Sequence, residues 1–232
     1  MSPESSAPEL RATRIWDLPT RLFHWLLALL VIGSVATGQI GGNAMVWHTR
    51  LGLAVLALLV FRLVWGFAGG YWSRFTSFLY GPRSVLAYLR GDSGPGGRYD
   101  IGHSPVGALS VWALLGLLAA QVATGLVADD EIATTGPLNR FVSTAIANAA
   151  SAWHEEIGKS LLIVLTIAHV AAVLYYLRRK QKNLIVPMVV GDAPLPAGTT
   201  ASRDVAGTRL AALVIVGAAA ALAWWIGSLG SP

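Results

Sequence analysis

Five apolar stretches, each long enough to cross a membrane, constrain this chain more than any other feature of its sequence. A transmembrane helix needs about 20 consecutive, mainly apolar residues. The stretches are Leu22 to Ile40, Leu51 to Phe67, Val106 to Val127, Ile157 to Leu177 and Leu210 to Ile226. Hydrophobic residues make up 54% of the 232 residues and charged residues only 12%, too few to cover a soluble domain of this size. We therefore predict an all-α integral membrane protein.

The basic residues indicate how the spans are oriented. Fourteen of the 17 lysines and arginines lie before the first span, around the connection of the second and third, or between the fourth and fifth. Segments rich in lysine and arginine stay in the cytoplasm. We expect a multi-pass protein of the bacterial inner membrane, with a cytoplasmic N-terminus, no removable signal peptide and a periplasmic C-terminus. The net charge of +5 then reflects membrane orientation, and we expect no nucleic-acid partner.

The segments outside the spans are shorter and more polar. We expect residues 1–14 to be a disordered tail and residues 191–207 to be a cytoplasmic linker. Gly81 to Arg90 carries a short apolar stripe after Pro82 and is predicted to form an interfacial helix, with a solvated loop as the alternative. In the long outer loop, the apolar residues 141–152 are predicted to form a short helix that caps the surface.

Cysteine is absent from the sequence. Its absence excludes disulfides, cysteine-ligated metal centres and any cysteine nucleophile. No carboxylate pair, nucleophile–base set or phosphate-binding loop is visible either.

Histidine supplies the remaining chemistry, at positions 24, 48, 103, 154 and 169. Ionisable side chains in or beside membrane spans are costly and therefore indicate function. His48 and His154 lie at the outer ends of the second and fourth spans, whereas His24 and His169 lie in the inner halves of the first and fourth. Two imidazoles, one on each side of the iron, are the ligation of an electron-transferring b-type haem. We therefore predict one metal-binding histidine pair near each membrane face.

The two outer histidines occur in similar segments, WHTRLG at residues 47–52 and WHEEIG at residues 153–158. A glycine four residues after a histidine lies on the same helix face. Without a side chain there, a flat macrocycle can approach the backbone. We predict Gly52 and Gly158 as haem contacts; the alternative is that small residues simply let helices pack.

Three arginines and the fifth histidine complete the candidate site. Arg21, Arg50 and Arg62 are candidates for binding haem propionates or quinone, because arginine pairs bidentately with carboxylates. The alternative for each is an arginine that snorkels to the membrane surface. His103 precedes the first turn of the third span. It is a competing inner ligand, a propionate or quinone contact, or a plain interfacial histidine.

These residues resemble the prokaryotic di-haem cytochrome b561 family, which includes the b-type membrane subunits of nickel–iron hydrogenases. The resemblance runs from about Ile15 to Val190 and is carried by the segments WDLPTRLFHW (16–25), WHTRLG (47–52), GHSPVG (102–107) and HVAAVLY (169–175). It implies a four-helix transmembrane haem-binding bundle over residues 15–190. Two haem b groups would be held by His24 with His169 on the cytoplasmic side and by His48 with His154 on the periplasmic side.

Two features depart from the family pattern. The family pattern has about one residue fewer between the two histidines of the fourth span, His154 and His169. Their spacing of 15 residues places the two side chains about 60° apart around the axis of an ideal helix. Residues 208–229 are predicted to form a fifth, C-terminal transmembrane helix outside the resemblance.

Three functions remain open. The first is an electron-transfer subunit of a respiratory oxidoreductase, linking a periplasmic partner (a soluble cytochrome or a dehydrogenase or hydrogenase subunit) to ubiquinone or menaquinone. The second is a self-sufficient superoxide:quinone oxidoreductase, in which Arg50 and Lys159 attract the anion. The third is a haem-free anchor or transporter subunit, against which the absence of proline inside the spans counts.

Overall fold

The structure is a computed structural model that describes residues 9–131 and 134–230. Its helices are α1 (Leu18–Ile40), α2 (Met45–Ala68), α3 (Pro82–Leu89), α4 (Pro105–Gly125), α5 (Thr144–Ala152), α6 (Lys159–Arg179), α7 (Ile185–Val190) and α8 (Ala206–Ser228). Its strands are β1 (Leu10–Arg14) and β2 (Asp192–Pro196). Within the described ranges, five helical segments are long and apolar enough to cross a membrane, and each contains or largely overlaps one predicted stretch. The predicted all-α, multi-pass membrane fold is confirmed.

The fourth span is longer than its sequence pattern indicates. Helix α5, a π-helical turn at Trp153–Gly158 and helix α6 follow one another without a break, from Thr144 to Arg179. The short outer helix expected over residues 141–152 is present as α5 (Thr144–Ala152), but it continues through the π turn into α6 and is not a separate element. A π turn inserts one residue into an α-helix. The inserted residue lies between His154 and His169, where we expect about one residue more than in the family pattern.

The start of α1 is held by a buried carboxylate. Asp17 is fully buried and accepts a hydrogen bond of 2.8 Å from the backbone N–H of Thr20, which caps the helix. The same carboxylate accepts hydrogen bonds from Trp65 Nε1 at 3.1 Å, from the Gly70 N–H at 3.1 Å and from Ser73 Oγ at 2.5 Å. Asp17 thereby fastens the beginning of α1 to the end of α2 and the loop that follows.

The N-terminal segment is ordered where disorder was expected. Strand β1 pairs antiparallel with β2, from Leu10 opposite Pro196 to Arg14 opposite Asp192. This pairing corrects the expected disordered tail over residues 1–14 for its part from Leu10 to Arg14, and it adds a strand to the predicted linker over residues 191–207; residues 1–8 lie outside the described residues. Backbone hydrogen bonds along the ladder compensate the entropy of ordering both segments.

Ion pairs at the end of this ladder connect it to the fifth span. Arg14 Nε lies 2.6 Å from Asp192 Oδ1 and its Nη1 lies 2.7 Å from Asp204 Oδ2, while Arg209 Nε lies 2.9 Å from Asp204 Oδ1. Burial raises the pKa of Asp204, but the hydrogen bonds from Arg209 and Arg14 outweigh it and hold the pKa below its ordinary value. The start of α8 is thus fixed beside β1.

Helix α8 packs along α2 through small residues. Ala212, Ala219 and Ala223 are buried, and the first two join Phe61 and Trp65 of α2 in one hydrophobic cluster. Further along, Gly227 approaches the side chain of Leu53. The fifth helix therefore runs the length of α2 as an addition to the bundle.

The remaining spans form two helical pairs, α1 with α2 and α4 with α6, which meet where α2 contacts α4. Many of their large apolar side chains face outward, such as Leu29 at 67% exposure and Val164 at 61%. Such a surface suits lipid and not water. The predicted interfacial segment is helical, as α3, and contacts α4.

Candidate functional site

Four of the five histidines form two close pairs, and we call the two ends of the bundle outer and inner after the predicted orientation. At the outer end, the ring centroids of His48 on α2 and His154 in the π turn lie 5.8 Å apart. At the inner end, the centroids of His24 on α1 and His169 on α6 lie 6.3 Å apart. A metal–imidazole bond is about 2 Å long, so two imidazoles that share one iron have centroids about 6 Å apart. The structure thus joins the histidines in the predicted pairs at a separation that fits one iron each.

Backbone carbonyls orient both outer imidazoles. His48 Nδ1 lies 2.8 Å from the carbonyl oxygen of Ser34, and His154 Nδ1 lies 2.8 Å from that of Gln121. A carbonyl oxygen only accepts, so each Nδ1 carries the proton and donates it. In the neutral imidazole, Nε2 is then the unprotonated nitrogen and carries the lone pair that an iron requires.

A cavity of about 410 Å³ adjoins the outer pair. It is lined by both imidazoles and by residues of α1, α2, α4 and α6, and its volume is typical of a site for a small molecule or cofactor. A Cβ atom at Gly52, which lines the cavity, would meet nothing within 4 Å. This open approach to the backbone fits a flat macrocycle.

Gly158 has a different environment. It is buried, and the place of its missing side chain is occupied by the amide of Gln121 and the indole of Trp153. Its role in the structure is to let α4 approach the π turn, which is the helix-packing alternative.

The inner pair lies among aromatic side chains. The ring of His24 contacts that of Trp25 edge-on at 5.0 Å, and the planes of the His24 and His169 rings make an angle of 51°. His24 Nδ1 is buried and has no hydrogen-bond partner among the described residues. A buried polar atom without a partner indicates a group that remains to be bound.

His103 lies beside the inner pair without joining it. Its ring packs between those of Trp16, at 4.7 Å, and Phe78, at 4.5 Å. Burial, and then the positive charge of Arg62, lower the pKa of His103 to about 3, so that this imidazole is neutral. The structure pairs His24, and not His103, with His169.

The three candidate arginines lie in three different environments. Arg62 is 4% exposed, donates to the carbonyl of Ser73 at 2.8 Å and lies over the ring of Phe75 at 4.8 Å. Arg21 donates to the carbonyl of Val189 at 2.5 Å, and its Nε is buried without a partner among the described residues. Arg50 is exposed and lies over the ring of Trp47 at 5.2 Å. Two of the candidates thus belong to the inner end.

Two further glycines contact the outer imidazoles and were missed in the sequence. A Cβ atom at Gly38 would lie 3.1 Å from His48 Nδ1, and one at Gly125 would lie 2.7 Å from His154 Cε1. Both glycines end the same tetrapeptide, Val-Ala-Thr-Gly, which occurs at residues 35–38 and 122–125. That repeat is the signal by which they could have been found.

Within the described ranges, no group of three or more His, Cys, Asp or Glu side chains could hold a metal ion alone. A histidine pair supplies two of the six ligands of a haem iron, and the porphyrin supplies the other four. Three features fit a haem: the two histidine pairs, the available Nε2 atoms of the outer pair and the open approach to the backbone at Gly52.

Comparison with protein families assigns most of the chain. Residues 15–191, more than three quarters of the chain, match the family described as prokaryotic cytochrome b561. No curated protein matches the chain. The matched range includes all four paired histidines and ends before α8, as the resemblance in the sequence implied. The chain belongs to the prokaryotic cytochrome b561 family.

Proposed function

We propose that this protein conducts electrons across the bacterial inner membrane through two haem b groups, one at each histidine pair. Its family consists of membrane b-type cytochromes, so haem b binding and electron transfer follow from membership. The number of haems rests on one observation: two pairs of imidazoles, with centroids 5.8 and 6.3 Å apart, lie at opposite ends of the same bundle.

The chain holds the cofactors and restricts their chemistry. His48 with His154, and His24 with His169, would hold the two haems; a haem held by two histidines would supply one-electron transfer and offer no position for a substrate on the metal. His48 and His154 present their Nε2 atoms because backbone carbonyls hold the Nδ1 protons.

The two ends suit different redox partners. The outer loop and the π turn carry Asp129, Glu131, Glu155 and Glu156, an acidic surface that would attract a basic soluble cytochrome or an enzyme subunit. The inner end offers the buried Arg62, the buried Nε of Arg21 and the neutral His103 among aromatic rings. Such a combination of apolar surface and hydrogen-bond donors suits ubiquinone or menaquinone. Electrons would pass between the periplasmic partner and the quinone pool, with the N-terminus in the cytoplasm.

A second candidate function is direct oxidation of superoxide. The observation that favours it is Lys159, a cation that lines the outer cavity next to His154. Fast haem reduction by superoxide in the purified protein, without any partner, would support this function. The haem-free alternative is set aside because the family binds haem b.

Counting haems in histidine variants tests the proposal. We expect two haems per chain in the wild type, measured as the pyridine haemochrome and in low-temperature reduced-minus-oxidised spectra. His48→Ala and His169→Ala should each remove one haem, with different spectra lost. His103→Ala is the control and should keep both haems. A wild type with one haem, or loss of a haem in His103→Ala but not in His24→Ala, would overturn the assignment.

A further inference from the structure

Two five-residue segments near the outer ends of the first and third spans share their last four residues. They read Ser-Val-Ala-Thr-Gly at residues 34–38 of α1 and Gln-Val-Ala-Thr-Gly at residues 121–125 of α4. Each copy faces the outer histidine of the following span, His48 for the first and His154 for the second. The two outer histidines therefore lie in similar Trp-His segments and also face similar segments on the preceding span.

Corresponding atoms of the two copies make the same contacts. In both, the carbonyl of the first residue accepts the proton of the histidine Nδ1 at 2.8 Å. In both, the threonine hydroxyl donates within its own helix, Thr37 to Gly33 at 2.7 Å and Thr124 to Ala120 at 2.8 Å. The threonines thus satisfy their hydroxyls without competing for the imidazoles.

The final glycine of each copy admits the ring. An added Cβ would lie 3.1 Å from His48 Nδ1 in the first copy and 2.7 Å from His154 Cε1 in the second. Both distances are shorter than ordinary van der Waals contact, so any side chain there would displace the imidazole. The two rings seated in this way stand at 88° to each other.

We propose that the segments Ser34–Gly38 and Gln121–Gly125 form a duplicated cradle that fixes the outer imidazoles nearly perpendicular and keeps their Nε2 atoms available. This inference rests on the proposed function, in which the outer pair ligates a haem. The cradle residues act through the histidines and are positioning residues.

The one difference between the copies has a structural reason. Gln121 Nε2 donates at 2.7 Å to the carbonyl of His154, which belongs to the π turn. His48 lies in the regular helix α2, and the corresponding Ser34 makes no such contact. A π turn disturbs the regular carbonyl–amide pairing of a helix, and a side-chain amide can satisfy the carbonyl that loses its partner. Gln121 thus holds both the ring and the backbone of His154.

Substitutions of glycine by alanine test the cradle. We expect the order of effects to be Gly125→Ala, then Gly38→Ala, following the 2.7 and 3.1 Å contacts. Gly116→Ala, on the same helix as Gly125, is the matched control, because its added Cβ meets nothing within 4 Å. Outer haem affinity should fall about 10- to 100-fold in the two cradle variants and not in the control.

Electron paramagnetic resonance gives a readout that general destabilisation would not produce. The g anisotropy of low-spin ferric haem depends on the angle between its two imidazole planes. Gly125→Ala and Gly38→Ala should therefore change the outer haem signal, while the inner haem signal serves as an internal reference. Gln121→Ser, which makes the copies identical, should shift only the outer signal and the outer midpoint potential.

The possible results distinguish a failure of the cradle proposal from a failure of the proposed function. A wild type without an outer haem would overturn the proposed function. A wild type with two haems, whose outer signal is the same in Gly125→Ala, Gly38→Ala and Gly116→Ala, would overturn the cradle alone. If Gly125→Ala does not fold, Gly38→Ala and Gln121→Ser decide in its place, and an unchanged outer signal in both contradicts the inference.

Discussion

The outer and inner histidine pairs have nearly the same separation but are held in different ways. Main-chain carbonyls and glycines within membrane helices fix the outer rings, beside an open cavity. The inner rings lie among aromatic side chains, near a buried arginine and a third histidine, with the planes 51° apart. The inner end also depends on loops that Asp17 fastens to the bundle. The same pairing of histidines can therefore rest on helical backbone at one end and on a side-chain network at the other.

The largest expected effect is the loss of the inner end in Asp17→Ala. The substitution leaves four buried donors unpaired, two backbone N–H groups, the Trp65 indole and the Ser73 hydroxyl. Unsatisfied buried donors cost about 1–3 kcal/mol each, so the free energy of unfolding should fall by on the order of 4 kcal/mol or more. In a thermal melt followed at the haem bands, the inner haem should be released well before the outer haem.

Glu9→Gln is the matched control for this experiment. Glu9 pairs with Arg11 on the same terminal segment, but both side chains are exposed, at 70% and 66%. Exposed pairs contribute about 0–1 kcal/mol, so the melt should stay close to that of the wild type. Simultaneous release of both haems in Asp17→Ala would show that the two ends are not independent.

A smaller effect, confined to the outer end, is expected from Gly52→Leu. The side chain enters space that is open in the protein alone, so the haem-free form should unfold at the same or a slightly higher temperature. The same side chain occupies part of the cavity that the outer haem requires. We therefore expect about half the wild-type haem content with the inner spectrum intact. A normal outer spectrum would exclude this cavity as the haem site.

The sequence predicted the features that depend on residue type. Apolar length gave the five spans, and ionisable residues within them gave the paired histidines. Both the long apolar stretches and the rarity of ionisable residues within them arise because polar groups are costly to place in lipid. This cost acts on residue type and can therefore be read from the sequence. The family resemblance added the pairing itself and the range over which it holds.

Features carried by the main chain were not predicted. Any residue can offer the carbonyls that Ser34 and Gln121 present to the imidazoles, so their identity gives no signal. The π turn follows from a one-residue surplus in spacing, which by itself specifies no local geometry. The pairing of β1 with β2 joins segments that are nearly 180 residues apart and lack an alternating apolar pattern. Gly158 is the opposite case, in which the sequence pattern is present but the expected space is not. It follows His154 by four residues, yet the side chain of Gln121 occupies the space where a haem contact was predicted.

The smallest expected effects are electrostatic and compare Arg62 with Arg50. Arg62 is buried beside His103 at the inner end, where its positive charge would stabilise the electron-richer, reduced form of an inner haem. Arg62→Gln should lower the inner midpoint potential by on the order of tens of millivolts, because charges interact strongly where water is excluded. Arg62→Lys keeps the charge and should restore most of the wild-type potential, which separates electrostatics from packing.

Arg50→Gln should leave both midpoint potentials almost unchanged. The Arg50 guanidinium is exposed and held over the Trp47 ring, where water and salt screen its charge. Redox titration of the three arginine variants at low and high ionic strength measures the difference directly. If Arg50→Gln shifts the outer potential as much as Arg62→Gln shifts the inner one, then Arg50 interacts with the outer haem itself, and the contrast between a buried inner charge and a screened outer charge does not hold.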